Sequence, residues 1–334
     1  MDMATRDEKK KIVIIGTGGT IAGQSASDAD LTGYQAGAIG VDDLLSSVPE
    51  LGDYGPLESK QLCNIDSSDM TTDLWLSLSR LVQKEVARED VAGVVITHGT
   101  DTMEESAYFL HLTVSTDKPI VVTGSMRPAS AISADGPLNL LNAVLTARSP
   151  EARGKGVIVT LNNYLDCARD VTKQNTTDVA TFASPLFGHQ GLIQGGQSHW
   201  YYVSTRRHTK ASEFAPLAAD VRALPEVGIL YLYGGVSAQY VESIKALPWQ
   251  GLVIAGLGHG ILPTWVEKEV KQLSIPVVRA SRVAGGMVSA LPDDGINQFL
   301  TADTLNPAKA RILLMLGLAK GYGDKELQDA FNHY

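Results

Sequence analysis

A series of short runs of valine, isoleucine and leucine limits what this chain can fold into more than any other feature. They are Lys11–Gly16, Gly93–His98, Pro119–Gly124, Gly156–Asn162, Val227–Tyr233, Gly251–Leu257 and Ile275–Ser281. Apolar runs of this length without alternation read as strands buried on both faces, which is the condition of a parallel sheet. Between them, Thr71–Arg88 places Leu74, Trp75, Leu78, Leu81, Val82 and Val86 on one stripe at helical spacing. Similar stripes run through Met103–Thr113, Leu138–Ala147, Val266–Leu273 and Pro307–Leu318. Strand–helix alternation predicts an α/β fold with right-handed crossovers.

The alternation breaks between Gly188 and Pro225, where Gly195-Gly196, Trp200-Tyr201-Tyr202 and Arg206-Arg207-His208 occur, and resumes at Val227. We read the break as a hairpin followed by a linker. The expected organisation is a larger N-terminal domain (1–200), with a mainly parallel sheet flanked by helices, then a linker (201–225). A smaller C-terminal α/β domain with a parallel sheet (226–334) completes it. The 334 residues, 44% apolar and 19% charged, exclude disorder and coiled coil. A net charge of −9 argues against a nucleic-acid partner or an anionic membrane. No run reaches the roughly 20 apolar residues of a spanning helix. Two cysteines, Cys63 and Cys167, make no disulfide framework or zinc site. Met1–Lys11 is polar and charged, so we expect no signal peptide and a cytoplasmic location for the chain as written. The alternative is periplasmic, had a signal peptide been removed.

Ligands of open parallel sheets bind beyond the carboxyl ends of the strands. The first run exits into Gly16-Thr17-Gly18-Gly19-Thr20-Ile21-Ala22-Gly23. A dinucleotide fingerprint would need glycine where Ile21 stands, and a phosphate loop would need lysine where Gln24 stands. Neither nucleotide fits. What remains is a flexible backbone presenting two hydroxyls, Thr17 and Thr20, beside N–H donors, as acyl transfer requires. An ordinary turn with a threonine helix cap accounts for the same residues. The second run exits into His98-Gly99-Thr100-Asp101-Thr102. Asp101 there is either a clamp for an ammonium group or a cap for the helix starting near Met103. Lys173, in Arg169-Asp170-Val171-Thr172-Lys173, either lowers the pKa of a hydroxyl, serves as a base itself if partly buried, or sits on the surface. Asn64–Met70 is denser in hydroxyls and carboxylates than capping alone requires, and Leu31–Gly40 fits a mobile lid carrying Tyr34.

Thr17-Gly18-Gly19-Thr20-Ile21 together with His98-Gly99-Thr100-Asp101-Thr102 resembles the two signatures of bacterial L-asparaginases and glutaminase-asparaginases. The likeness extends through Ser133–Pro137, Arg169–Lys173 and Leu305-Asn306-Pro307, and looks most like the high-affinity branch. It implies an amidohydrolase that converts L-asparagine and water to L-aspartate and ammonia through an acyl-enzyme. Thr20 would be the nucleophile and Tyr34 would help to activate it, while Thr100, Lys173 and Asp101 would form a second relay. Ser67 and Asp101 would hold the substrate's α-carboxylate and α-amino groups, aided by Ser68. The family uses no cofactor and no metal. It forms homotetramers, dimers of intimate dimers whose active sites are shared between subunits. Independently, a phenol or an ammonium titrates near 10 in water, so two relays around one amide would answer the need for a base.

Three departures bear on specificity. Ser68 stands where the family has Gln or Glu, Ile261 where it has Asn or Ser, and Gly285–Asp294 offers no clear match for an interface glutamate. They predict a preference for asparagine over glutamine. Two other classes compete with a hydrolase. A non-catalytic amino-acid binding protein would not need two threonines, Tyr34 and Lys173, and a Rossmann oxidoreductase is opposed by Ile21.

Overall fold

Ile12, Val13, Ile14 and Ile15 are all fully buried in the first strand, β1 (Lys11–Gly18). Successive side chains of a strand point to opposite faces, so burial of all four requires cover on both sides. Val13 and Ile15 pack with Val94, Ile96, Leu78, Val82, Met103 and Leu110 on one face. Ile12 and Ile14 pack with Val95, Val121, Leu140 and Val144 on the other. Each such side chain contributes about 2–3 kcal/mol relative to exposure. The structure, a computed structural model, describes residues 9–25, 27, 33–292, 294 and 299–334, the side chains of Ser25 and Tyr34 excepted. It divides into two units, 1–218 and 219–334.

In the first unit, β1 is followed by the short strands β2 (Gln24–Ser25) and β3 (Tyr34–Gln35), then by β4 (Leu57–Ile65), β5 (Val91–Thr97), β6 (Ile120–Thr123) and β7 (Val157–Leu161). After them come β8 (Tyr164–Cys167), β9 (Thr172–Lys173), β10 (Phe182–Ala183), β11 (Gly191–Gln194) and β12 (Gln197–Trp200). Eight of these form one sheet in the order β12-β11-β8-β7-β6-β5-β1-β4. From β7 to β4 all neighbours are parallel, while β8, β11 and β12 add an antiparallel edge. The antiparallel edge begins at a two-residue turn, Asn162-Asn163, with φ of 51° and 65°. Asparagine tolerates this left-handed region, and the turn twists as the strands do. The β11–β12 hairpin, turning at Gly195-Gly196, occupies the interruption expected there. Helices Thr72–Val86 and Met103–Thr113 supply one face's core, and helix Gly136–Arg148 supplies the other's.

The second unit holds β13 (Val227–Tyr231), β14 (Gly251–Gly256), β15 (Val277–Ser281) and β16 (Phe299–Thr301) in one parallel sheet of that order. Helices Ala238–Lys245, Thr264–Val270, Pro307–Ala319 and Asp324–His333 belong to it. Asn306 caps the third of these by accepting from Lys309 N at 2.9 Å, with Pro307 opening the helix. The α/β class, a larger first unit with a mostly parallel sheet and a smaller second one with a parallel sheet, is therefore as expected. Among the described residues, no helix is long and apolar enough to cross a membrane.

Candidate active site

β4, β1 and β5 are neighbours in the sheet, so the loops leaving their carboxyl ends converge. Gly19 N donates to the Ile65 carbonyl at 2.8 Å, joining the first exit to the loop after β4. Gly19 has φ of 80°, and a Cβ there would strike the Cα and N of Gly99. A Cβ on Gly99 would in turn strike the side chain of Ser67. The first exit is thus in backbone contact with the second at Gly99, whose other neighbour is the Ser67 side chain of the third, and only glycine permits that approach.

On this floor the hydroxyls separate by role. Thr17 is buried and donates from Oγ1 to the Thr97 carbonyl at 2.9 Å, bolting β1 to β5. Thr20, 6% exposed, opens a short 3₁₀ turn, Thr20–Ala22, in which Gly19 rather than a threonine holds the capping position. Ser67 is buried and accepts from Asp101 N at 3.2 Å through Oγ, while its carbonyl accepts from Thr102 Oγ1 at 2.8 Å. Ser68 is turned the other way. Its N and Oγ both donate to Asp66 Oδ1 at 3.0 Å, so Asp66 caps the turn and Ser68 is exposed.

Asp101 does not cap the following helix; Thr102 stands at that position without a side-chain cap bond. The Asp101 carboxylate instead accepts from Lys173 Nζ at 2.6 Å, and the same ammonium donates to Thr100 Oγ1 at 2.9 Å. The Lys173 side chain is only 19% exposed, so the surface position open to it from sequence is not the one it takes. Charge-assisted bonds of this length are roughly twice as strong as neutral ones. Beneath the loop, His98 is fully buried, with Nδ1 donating to the Gly99 carbonyl at 2.7 Å. Burial holds its pKa down at about 4 against that hydrogen bond, so this imidazole is neutral at physiological pH.

Thr20, Ser67, Thr100, Asp101 and Lys173 therefore belong to loops the fold brings together, and Ser68 lies on the same loop facing Asp66. The Tyr34 side chain lies outside the described residues. Its backbone pairs with Ser25, and Gly37 N donates to the Gly19 carbonyl at 3.1 Å. Sequence reasoning passed over Glu104, whose Oε2 accepts from the backbone N of Lys173 at 2.7 Å. An acid in the first turn of a helix reads as a partner for the helix dipole, which conceals a second use. In the second unit, Ile261 is exposed and closes a bridge with Leu257. Among the described residues, no group of three or more His, Cys, Asp or Glu is arranged to hold a metal.

The family model described as Asparaginase, N-terminal matches residues 11–206, and the Glutaminase/Asparaginase C-terminal domain matches 226–331. L-asparaginase 2 of Bacillus subtilis is 42% identical over 337 residues, spanning 99% of this chain and 89% of the relative. The glutaminase-asparaginase of Pseudomonas fluorescens is 42% identical over 340 residues, spanning 100% and 93%. Among solved structures, a probable cytoplasmic L-asparaginase from Campylobacter jejuni superposes with a TM-score of 0.93 at 44% identity, covering 98% of this chain and 100% of that one.

Proposed function

The chain belongs to the asparaginase family, and on that footing we propose that it hydrolyses the side-chain amide of L-asparagine to L-aspartate and ammonia, with weaker action on L-glutamine. The observation that carries the assignment to this site is the contact of Lys173 Nζ with Thr100 Oγ1 at 2.9 Å and with Asp101 Oδ1 at 2.6 Å, on a loop packed against Gly19.

The Thr20 hydroxyl attacks the amide carbon, its proton passes by way of Tyr34 to the amide nitrogen, and the C–N bond breaks as ammonia departs. The resulting ester is opened by water. Thr100, hydrogen-bonded to the Lys173 ammonium, orients that water; its oxygen joins the acyl carbon and its proton goes to Thr20 Oγ1 as the ester bond breaks and aspartate leaves. A free threonine hydroxyl is a weak nucleophile, which is why each half-reaction needs a relay. Asp101 meets the substrate ammonium and Ser67 its carboxylate, with Ser68 assisting from the rim. No metal or organic cofactor enters these steps. The assembly is a homotetramer with shared active sites. Exposed apolar side chains in each unit, Ile132 and Leu138 in one and Ile261 and Met287 in the other, support burial against further copies. A monomer by light scattering would overturn that assembly.

Ammonia release measured with each amide tests the activity and its preference together. One methylene separates the substrates, a difference worth roughly 10–200-fold in a fitted pocket, so kcat/KM for asparagine is expected to exceed that for glutamine by at least about tenfold. Equal values would remove the preference. Binding of asparagine without ammonia release would overturn the hydrolase assignment.

A further inference from the structure

Lys173 reaches the active site from outside the main sheet. Its strand, β9, is two residues long and pairs only with β10, so no hydrogen bond of the eight-stranded sheet holds it. Thr100 lies 73 residues earlier in the chain. Two of the bonds that cross this gap are made by Nζ at the tip of a four-carbon stem, whose rotamers allow many positions. A third fixes where the stem begins: Lys173 N donates to Glu104 Oε2 at 2.7 Å.

Glu104 stands in the first turn of helix Met103–Thr113, directly after the Thr100–Thr102 loop, and is 9% exposed. The turn that presents Thr100 and Asp101 therefore also grips the backbone of the lysine they need. Withdrawing a carboxylate from water is costly unless it is hydrogen-bonded, and its place near the helix N-terminus lowers that cost. We propose that Glu104 is a positioning residue for the hydrolysis, setting Lys173 against Thr100 and Asp101. This rests on the function proposed above.

Misplacing a reacting group by about 1 Å can cost on the order of 100-fold in rate. Glu104→Ala, which loses the acceptor, is expected to lower kcat on asparagine by roughly 10–100-fold, with KM changed less than about threefold. Glu104→Gln keeps an acceptor of the same reach and should restore kcat to within roughly threefold of wild type. A Lys173→Ala background separates positioning from general support of the fold. There Glu104→Ala should change the residual kcat by less than about twofold, because the group it places is gone. Should Glu104→Ala not fold, Glu104→Asp, shorter by one methylene, takes its place in the same cycle with a loss of about tenfold expected. Wild-type kcat in a folded Glu104→Ala or Glu104→Asp variant would overturn the proposal. So would a loss that Gln does not repair, or one that persists undiminished without Lys173. A wild-type protein releasing no ammonia from asparagine would instead overturn the function on which it rests.

Discussion

In the first unit, β4, β1 and β5 end in Asp66-Ser67, Thr17–Thr20 and Thr100-Asp101. In the second, β14 ends in Gly256–Gly260 and β15 in Ser281-Arg282. Both are parallel sheets and both leave their carboxyl ends to loops. Each also carries a cation–carboxylate pair, and the pairs differ in what surrounds them. Lys173 and Asp101 have side chains 19% and 59% exposed, whereas Arg279 and Asp294 are 2% and 6% exposed. Arg279 donates to both oxygens of Asp294, and also to the carbonyls of His259, Gly260 and Ser289. Every guanidinium nitrogen is occupied by the protein itself. A charge pair left open to a ligand can do chemistry, while one sealed within the fold braces loops.

The largest expected effect lies on the open side. Thr20→Ala should remove about 10³-fold or more of kcat, as loss of a nucleophile does, while changing stability by less than about 1 kcal/mol. Ammonia release and thermal denaturation together decide it, and retained activity would take the nucleophile's role from Thr20. On the sealed side, Arg279→Ala leaves Asp294 buried without its counter-charge and should cost about 3–5 kcal/mol. Hydrogen exchange followed by mass spectrometry should show that loss in residues of the second unit and not in β1 or β5. A loss spread evenly over both units would break the contrast.

The third effect depends on pH and belongs to the first unit. His98 is held neutral with its pKa at about 4, against about 6.5 in an unfolded chain. Below 6.5 the unfolded chain binds a proton that the folded protein refuses, so stability is complete above that value and declines as pH falls toward 4. The slope is about 1.4 kcal/mol per pH unit, on the order of 3 kcal/mol in all. Burial lowers the pKa of His208 as well, which adds to the same slope. The difference in melting temperature between pH 7 and pH 4.5 should therefore shrink in His98→Gln. An unchanged difference would assign the acid sensitivity elsewhere.

Much of the scaffold was legible because burial on both faces leaves an unbroken apolar run, as in Ile12–Ile15 and Val94–Ile96. β4 escaped notice for the converse reason. It is the edge strand, half-buried along most of its length, and Leu57–Ile65 carries Glu58, Ser59, Lys60 and Gln61. The threonine loops stood out as a candidate site because glycine and hydroxyl groups cluster at strand exits. Pairing across distance was legible only through the family resemblance, not from the residues themselves. Nothing in the Arg169–Lys173 segment says that its lysine will meet Thr100, since that contact depends on a two-residue strand held by Glu104. The opposite orientations of Ser67 and Ser68 were equally hidden, because adjacent serines differ only in which way the turn at Asp66 carries them.

The contact of Gly19 with Gly99 has a bearing on how this protein can be altered. A library randomised at Gly19 should return glycine alone, even under selection for folding with no selection for turnover, since any side chain there strikes the main chain of Gly99, whereas one at Gly99 first displaces the Ser67 side chain. Spacing between the two threonines is then inherited from main-chain contact, and no choice of neighbouring side chains can retune it. Attempts to enlarge the repertoire of amides should leave those two positions untouched and vary the rim, where Ser68 offers room to change.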